Sequence, residues 1–436
     1  MASYREIIYL AFPSIITNIT YMLLPLIDLL TIGEFGNVVV SSLGLSRQII
    51  NILSLVSTAV SIGVTAIVAR RVGEERDEAA FLVYMNAIFL SLAISVPVMI
   101  VVLEVSGDIF RFMNAPPEVV TVGTIYLSIL GWNIPIMFLS GTVSSGLAGA
   151  GDTKTPFYAS LLTLSTKTLL NILLVRGVST GEEAMRAIGF ASMASSIIGL
   201  SALLLLFAGN KLIIKRTNKG GVSTRIMRKI LEIGVPGSFE RLISSFAMFT
   251  YTWLIMKFGT EAMSAQTAGM TIEGMSFMQG VGISVAVSSL AGRRLGGGRE
   301  DEAEDVIKKG VKISFMTMVP MAVLLFSGAT AVASILTPRN IERTALYLRI
   351  MSFQHPFLAA YIVMAGGLRG SGETKAPLLI SSICSWGIRV GLGLILGMYV
   401  LIDVVGVWIG ALMDFIVRTL LIYWVYRKGA WKKIKI

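Results

Sequence analysis

The sequence has only one cysteine, one histidine and few charged residues among its 436 positions. Because Cys384 is the only thiol, the chain cannot form an intrachain disulfide. His355 has no second histidine to join it in a zinc site, and next to Pro356 it is better explained as a structural residue. Charged residues make up 14% of the chain, whereas soluble domains average about 25%. These shortages argue against a soluble protein, and we expect no metal and no other cofactor.

Apolar residues take the place of the missing charges, at 54% of the chain with a mean hydropathy of +0.77. A helix that crosses a bilayer needs ~20 mostly apolar residues and satisfies its own backbone hydrogen bonds. The first such run is too long for a signal peptide and lacks a small-residue cleavage site, so we expect no cleaved leader. An all-α polytopic membrane protein with twelve transmembrane helices is predicted. The twelve runs are 7–32, 47–69, 80–103, 119–146, 156–176, 187–208, 230–256, 266–291, 306–330, 342–368, 377–400 and 404–426.

The net charge of +11 is distributed as in a membrane protein, and we expect no nucleic-acid partner. If the N-terminus is cytoplasmic, the segments facing the cytoplasm hold 25 of the 37 lysines and arginines, and the outer segments hold seven. The other five lie inside the runs. This asymmetry follows the positive-inside rule. We therefore expect a multi-pass protein in the plasma membrane of a prokaryotic cell, with both termini in the cytoplasm.

An internal repeat organises the chain, because its second half matches the first at an offset of 221–223 positions. The segment 146–156, Gly-Leu-Ala-Gly-Ala-Gly-Asp-Thr-Lys-Thr-Pro, aligns with 367–377, Gly-Leu-Arg-Gly-Ser-Gly-Glu-Thr-Lys-Ala-Pro. Several other anchors share the offset, which makes chance an unsatisfactory explanation. These anchors are Arg5 with Arg228, Pro13 with Pro236, Tyr126 with Tyr347 and Pro135 with Pro356.

The repeat predicts two homologous six-helix lobes. Each half holds an even number of helices, so both insert in the same orientation, as in transporters with parallel repeats. We predict an N-lobe at 1–209 with the first six helices, a basic cytoplasmic linker at 210–229, and a C-lobe at 230–436. The C-lobe carries the other six helices and a short basic tail. The linker is interpreted as a solvated loop, with lipid regulation as the alternative.

The repeated loop between the fourth and fifth runs has a structural explanation. Its glycines permit a tight turn, Pro156 suits the first turn of a helix, and Asp152 can cap that helix. Its glycines are too few and wrongly ordered for a phosphate-binding loop. No ATPase domain is visible, so transport energy must come from an ion gradient or from the gradient of the substrate.

These motifs, with Glu273-Gly-Met-Ser-Phe-Met-Gln-Gly-Val-Gly282, Gly292-Arg-Arg-Leu-Gly-Gly-Gly298 and Trp386-Gly-Ile-Arg389, resemble the multidrug and toxic compound extrusion (MATE) family. The resemblance covers about residues 5–426. It implies two six-helix lobes, alternating access, and export of amphipathic, often cationic compounds. It also implies that inward flow of protons or sodium ions drives this export.

Three residues are candidates for cation coupling, and the resemblance implies two of them. The family's first helix carries an aspartate before a short glycine-containing turn, and Asp28 stands there. The family's fifth helix usually reads Asn-x-x-x-Asp. This chain keeps Asn171 but has Val175 in place of the aspartate, which argues against the family's N-lobe sodium site. Lys167 lies one helical turn before Asn171 and projects from the same face.

Asp28 and Lys167 each have two interpretations. A charge in the hydrocarbon costs at least ~2.5–3.5 kcal/mol and normally faces a cavity or a partner. Asp28 is either a carboxylate that exchanges a proton or an interfacial residue at the outer helix end. Lys167 is either a structural ion-pair partner of Asp28 or a cation that stands where relatives bind sodium. For Lys167 the two interpretations are compatible.

Other polar residues fall within the predicted spans. In the second half they predict one polar network, which is either static or a second ion- or substrate-binding site in which Glu240 or Glu273 exchanges a proton. Tyr21, seven residues before Asp28, is a candidate for lining a substrate cavity, together with Asn18 and Asn133. The predicted network contains Glu240, Arg241, Glu273, Arg349, Arg389 and Asp414.

The function that these features favour is a secondary active antiporter. It would export amphipathic, cationic small molecules in exchange for protons or sodium ions, working as a monomer among membrane lipids. The alternative is a flippase for a lipid-linked precursor, from the same superfamily. Such flippases tend to have a strongly cationic cavity and additional helices. An enzyme is not expected, because paired Asp-rich motifs or several histidines are missing from the sequence.

Overall fold

The computed structural model describes residues 4–208 and 221–434. Most of the linker predicted at 210–229 therefore lies outside the described residues. Within them the chain consists of helices joined by short connections and contains no strand. The helices are α1 Tyr4–Ile32, α2 Asn37–Gly73, α3 Asp77–Phe112, α4 Pro117–Ala150, α5 Lys154–Val175, α6 Gly181–Ala208, α7 Thr224–Met256, α8 Thr260–Gly296, α9 Glu300–Ser327, α10 Ala329–Leu336, α11 Ile341–Ser352, α12 His355–Gly370, α13 Lys375–Ile383, α14 Gly393–Ile395 and α15 Val404–Lys428.

Twelve membrane crossings account for this order of helices in the described part of the chain. Ten segments are long and apolar enough to span a bilayer by themselves. The seventh crossing is α7, which is long but carries several charges. The tenth crossing is α11 followed by α12, which are too short individually. The prediction of an all-α membrane protein with twelve transmembrane helices in two repeated halves is confirmed.

Three crossings differ in detail from regular helices over the predicted runs. The second helix begins at Asn37, ten residues before the predicted start, because the segment of mixed valine, leucine and serine ahead of the predicted run is helical too. The tenth helix is interrupted, and Pro356 lies in the first turn of α12, where its missing N–H costs nothing. In the eleventh crossing, π-helical turns at Cys384–Leu392 and Leu396–Val400 flank α14.

The repeated loop has the same structure in both halves. Gly151 ends α4 with φ of 91°, and Gly372 follows α12 with φ of 93°, a backbone conformation that favours glycine. Asp152 Oδ1 accepts hydrogen bonds from the backbone N–H groups of Lys154 (3.1 Å) and Thr155 (3.0 Å). In the second loop the equivalent acidic side chain, at position 373, accepts one from Ala376 at 2.9 Å. The sequence repeat is therefore also a structural repeat.

The chain divides into two compact units, which we call the N unit and the C unit. The N unit is Ile16–Gly234, and the C unit is Met1–Ile15 with Val235–Ile436. The start of α1 thus packs within the C unit, and the start of α7 packs within the N unit. Glycine permits both packings, because a Cβ at Gly234 would overlap the Ala59 carbonyl and one at Gly282 would overlap Ile15.

Candidate functional site

Asp28 lies near the C-terminal end of α1, in the N unit, and is only 2% exposed. The residues around it in α1 are apolar, so the buried carboxylate must find its partners on other helices. Lys167 Nζ lies 2.8 Å from Asp28 Oδ2, and Asn171 Nδ2 donates a 3.0 Å hydrogen bond to Oδ1. The structure therefore brings together all three residues predicted for cation coupling.

The α5 residues also contact other helices of the N unit. Lys167, 7% exposed, donates a second hydrogen bond of 2.8 Å to Ser192 Oγ on α6. Asn171 Nδ2 also lies 3.4 Å from Thr31 Oγ1 on α1. A buried ammonium is stable only when it is paired and hydrogen-bonded, and Lys167 meets both conditions. Asp28 and Lys167 consequently connect α1, α5 and α6.

Two further residues reach Asp28, and neither was among the predicted site residues. Arg47 on α2 places Nη2 3.4 Å from Asp28 Oδ2 and also donates to the Pro25 carbonyl. The Tyr126 hydroxyl on α4 donates to the same carboxylate oxygen at 3.4 Å. Arg47 was not predicted as a site residue because the second apolar run was predicted to start at residue 47. One carboxylate therefore faces two cations, and the Arg47 side chain is 25% exposed.

The three residues predicted to line a cavity are placed differently from one another. Tyr21 is 46% exposed, and Asn18 is partly buried one turn before it on α1. Asn133 on α4 donates a 3.2 Å hydrogen bond to Ser196 Oγ. Ser196 in turn donates to the backbone carbonyl of Ser192, the residue whose hydroxyl contacts Lys167. Asn133 is therefore linked to the Asp28 site through α6, whereas Tyr21 has an exposed ring.

The polar residues of the C unit form separate groups, not one network. Glu240 on α7 is buried, and Arg369 at the end of α12 contacts its two carboxylate oxygens at 2.7 and 2.8 Å. The Tyr361 hydroxyl adds a 3.3 Å hydrogen bond. Arg369 was missed because the tenth apolar run was predicted to end at residue 368, one position before it. Arg241, the next residue after Glu240, is exposed.

A second group surrounds Asp414, whose side chain is fully buried on α15. Arg418 Nε lies 2.5 Å from its Oδ1, and Arg389 Nη2 lies 2.8 Å from its Oδ2. Arg418 also donates to the hydroxyls of Ser381 and Ser385 at 3.1 and 2.6 Å. Every charge in this group has a close partner, which is the arrangement of a structural ion-pair cluster.

Glu273 lies near the Asp414 group and interacts electrostatically with Arg389. Gln354 Nε2 donates a 3.0 Å hydrogen bond to Glu273 Oε2, while Oε1 is buried without a hydrogen-bond partner. Arg349 is exposed and contacts Thr330 Oγ1 at 3.2 Å. The buried members of the predicted network therefore divide between the Glu240 and Asp414 groups, whereas Arg241 and Arg349 have exposed side chains.

The lone histidine lies in the protein interior. His355 is buried, and its Nδ1 lies 3.1 Å from the Met351 carbonyl. Residues 4–208 and 221–434 contain no group of three or more His, Cys, Asp or Glu side chains that could hold a metal ion.

A twelve-helix membrane protein with two repeated halves and buried charged pairs has the features of a membrane transporter. The family model MatE matches residues 13–173 and 236–395, so the chain belongs to the MATE family of multidrug efflux transporters. A probable multidrug resistance protein NorM of Thermotoga maritima is 28% identical over 98% of this chain and 93% of its own length. A probable multidrug resistance protein YoeA of Bacillus subtilis is 23% identical over 97% and 93%.

Solved structures share the fold. The crystal structure of a MATE transporter in the bent conformation superimposes with a TM-score of 0.92 at 21% identity, and it covers 98% of this chain and 96% of the other. Together with the family match, this likeness confirms the predicted MATE resemblance and the multi-pass membrane architecture.

Proposed function

We propose that this protein exports amphipathic small molecules, cations among them, in exchange for protons by alternating access. It does so in the plasma membrane, as a monomer with both termini in the cytoplasm. The observation that carries the proposal is the buried Asp28, held by Lys167 and Asn171. An ionisable group at membrane depth is expensive, and its best explanation is a role in transport.

Protonation of Asp28 supplies the conformational signal in this mechanism. While ionised, the carboxylate attracts Lys167 across 2.8 Å of poorly solvated interior, which holds α1 against α5. A proton on Asp28 removes that attraction, worth several kcal/mol between close charges at an effective ε of ~20. The hydrogen bond from Lys167 to Ser192 persists, so α5 stays with α6 while α1 is released. A proton thus shifts the equilibrium between two arrangements of α1.

A sodium ion suits this site poorly. Sodium needs several oxygen ligands, and both oxygens of Asp28 already accept hydrogen bonds from nitrogen donors. Val175, one turn beyond Asn171, offers no carboxylate. A cation beside Asp28 would also be repelled by Lys167 and Arg47. A proton has no such geometric requirement, because it binds the carboxylate oxygen directly.

The decisive experiment is transport by the purified protein in proteoliposomes, with a panel of cationic dyes. Export is measured with an imposed pH gradient alone, and then with a sodium gradient at equal pH on both sides. We expect the pH gradient to suffice. Sodium-driven export that persists after the pH gradient has been collapsed would refute proton coupling and direct attention to the C unit, where Glu273 Oε1 lacks a hydrogen-bond partner.

The flippase alternative is supported by one observation, the excess of positive charge around Asp28. A lipid-linked precursor carries phosphates, which Arg and Lys side chains bind well. The same proteoliposomes, loaded with a fluorescent short-chain lipid diphosphate, separate the two functions. Movement of the lipid without movement of the dyes would favour the flippase.

A further inference from the structure

The charges around Asp28 do not balance. Lys167 approaches its Oδ2 to 2.8 Å and Arg47 approaches the same atom to 3.4 Å. Asp28 is the only carboxylate within ion-pair distance of either cation in the part of the chain that the structure describes. The site therefore carries a net charge of +1 with Asp28 ionised. The neutral groups that face it are Thr31 on α1, Tyr126 on α4, Asn171 on α5 and, through Lys167, Ser192 on α6.

Neutralising Asp28 makes the imbalance larger. Protonation converts the carboxylate to a carboxylic acid and raises the net charge of the site to +2, with Lys167 only 7% exposed. A buried charge whose partner has been removed is strongly destabilising. An incoming anion would restore a partner to both cations. Because the two cations converge on one oxygen of Asp28, an anion placed beside that oxygen reaches both of them.

We propose that a compact monovalent anion of halide size binds between Lys167 and Arg47 when Asp28 is neutral, an inference that rests on the proposed protonation of Asp28. Lysine offers three N–H donors and arginine five, and neither side chain accepts hydrogen bonds, so the donors released by Asp28 suit an anion. The anion must be compact, because Lys167 is almost fully buried. The partly exposed Arg47 side chain provides access from outside the buried region.

Proton and anion then bind with positive coupling. The anion favours neutral Asp28, and neutral Asp28 favours the anion, by the same factor in each direction. A transport cycle that uses this coupling takes up a proton and an anion together. It thus moves less net charge than one that takes up the proton alone.

The test uses the full-length purified protein in detergent, with Asp28→Asn to make the side chain permanently neutral. Bromide is the probe, titrated against gluconate at constant ionic strength, and the thermal midpoint is the readout. Ligand binding to the folded state raises this midpoint as the ligand concentration rises. We expect Asp28→Asn to be stabilised by bromide, and the wild type at alkaline pH to respond at least tenfold more weakly. Adding Arg47→Gln to Asp28→Asn should abolish the bromide response.

Arg111→Gln in the Asp28→Asn background is the matched control, because it removes an exposed arginine of the same unit that pairs with exposed Asp108. Its bromide response should be unchanged. An Asp28→Asn protein indifferent to bromide, or equally responsive without Arg47, would overturn the proposal. If the double variant does not fold, wild-type protein titrated with bromide at acidic and alkaline pH decides the matter, because only the acidic sample should respond.

A carboxylate on a larger molecule is the other source of a monovalent anion. Benzoate is therefore titrated in parallel with bromide. If benzoate displaces bromide at concentrations lower than bromide itself needs to bind, the proposal of a halide-sized ligand is overturned. The site would then be assigned to an acidic group of a substrate. None of these measurements depends on transport. Failure of anion binding is thus distinguishable from failure of proton coupling, which the export assay reports.

Discussion

The ammonium of Lys167 is shared between the Asp28 carboxylate and the Ser192 hydroxyl, each at 2.8 Å. The first contact is an ion pair that depends on the charge of Asp28, and the second is a hydrogen bond that does not. Lys167 therefore connects α1 to α5 conditionally and α5 to α6 unconditionally. In the proposed mechanism, a change of charge on Asp28 therefore changes whether Lys167 holds α1 against α5.

Asp28→Asn should abolish gradient-driven export, to the background of empty liposomes, while the protein still folds. Asparagine retains the shape and an acceptor oxygen for Lys167, but it cannot exchange a proton. Removing one partner of a buried ion pair costs about 3–5 kcal/mol, so the thermal midpoint should fall. Export of a fluorescent cation under a pH gradient and thermal unfolding in detergent measure the two effects.

Asp108→Asn is the control for this substitution, because Asp108 and its partner Arg111 are both exposed. It should leave export and the thermal midpoint unchanged within error, since exposed ion pairs contribute ~0–1 kcal/mol. Normal export by Asp28→Asn would exclude Asp28 as the coupling residue.

The outline of the fold was predictable because the bilayer leaves few choices. Any crossing must be a long apolar helix, so twelve apolar runs predict twelve crossings. The start of α2 was misplaced because its first ten residues lack a strongly apolar run. A signal was present nevertheless, since Phe35-Gly36 repeats as Phe258-Gly259 at the offset of 223, and both glycines precede a helix. Reading that repeat would have placed Arg47 inside a helix.

The charge pairings were harder to predict than the helices. Lys167 and Asn171 could be assigned to one face because their spacing is local. Glu240 and Arg369 are 129 positions apart, and no periodicity in the sequence relates them. Long-range partners of this kind depend on how helices pack, and packing follows from the shapes of many side chains at once.

Val175→Asp tests whether the missing carboxylate and the Lys167 charge prevent sodium coupling. An aspartate at 175 lies one turn beyond Asn171 and restores the residue found in relatives. When this is the only substitution we expect no sodium response, because Lys167 still pairs with the Asp28 carboxylate. Val175→Asp combined with Lys167→Gln should produce sodium-stimulated export of about threefold or more, consistent with the removal of a repulsion of several kcal/mol. Val175→Asn is the matched uncharged control, and equal stimulation by it would contradict the electrostatic explanation.

Asp414→Asn should lower stability without changing coupling. The substitution leaves Arg389 and Arg418 without their carboxylate, at a cost of about 3–5 kcal/mol. Glu232→Gln, which disrupts an exposed pair with Arg228, should cost under about 1 kcal/mol. Thermal unfolding measures both. Export per folded molecule should keep its dependence on pH gradient, and a stable Asp414→Asn protein that cannot export would show that this cluster takes part in transport.

Cysteine labelling tests the orientation in the membrane. Cys384 is fully buried, and replacing it with alanine gives a background free of thiols. A membrane-impermeant maleimide should label Ser179→Cys on intact cells. Arg225→Cys and Arg299→Cys should react only after the membrane is opened, because the positive-inside rule places them in the cytoplasm. Labelling of positions 179 and 225 from the same side would contradict the predicted topology.

Gly234→Ala should disrupt the packing of the start of α7 within the N unit. The added Cβ would overlap the Ala59 carbonyl, a backbone atom that cannot move aside without shifting α2. Overpacking of this kind costs typically about 1–3 kcal/mol, and the thermal midpoint should fall accordingly. Gly44→Ala is the matched control, because no atom lies within 4 Å of a Cβ at that position in α2. There the loss of a helical glycine should be neutral or stabilising by about 0.5–1 kcal/mol. Equal behaviour of the two variants would mean that α7 does not need the close contact, and that Gly234 has another role.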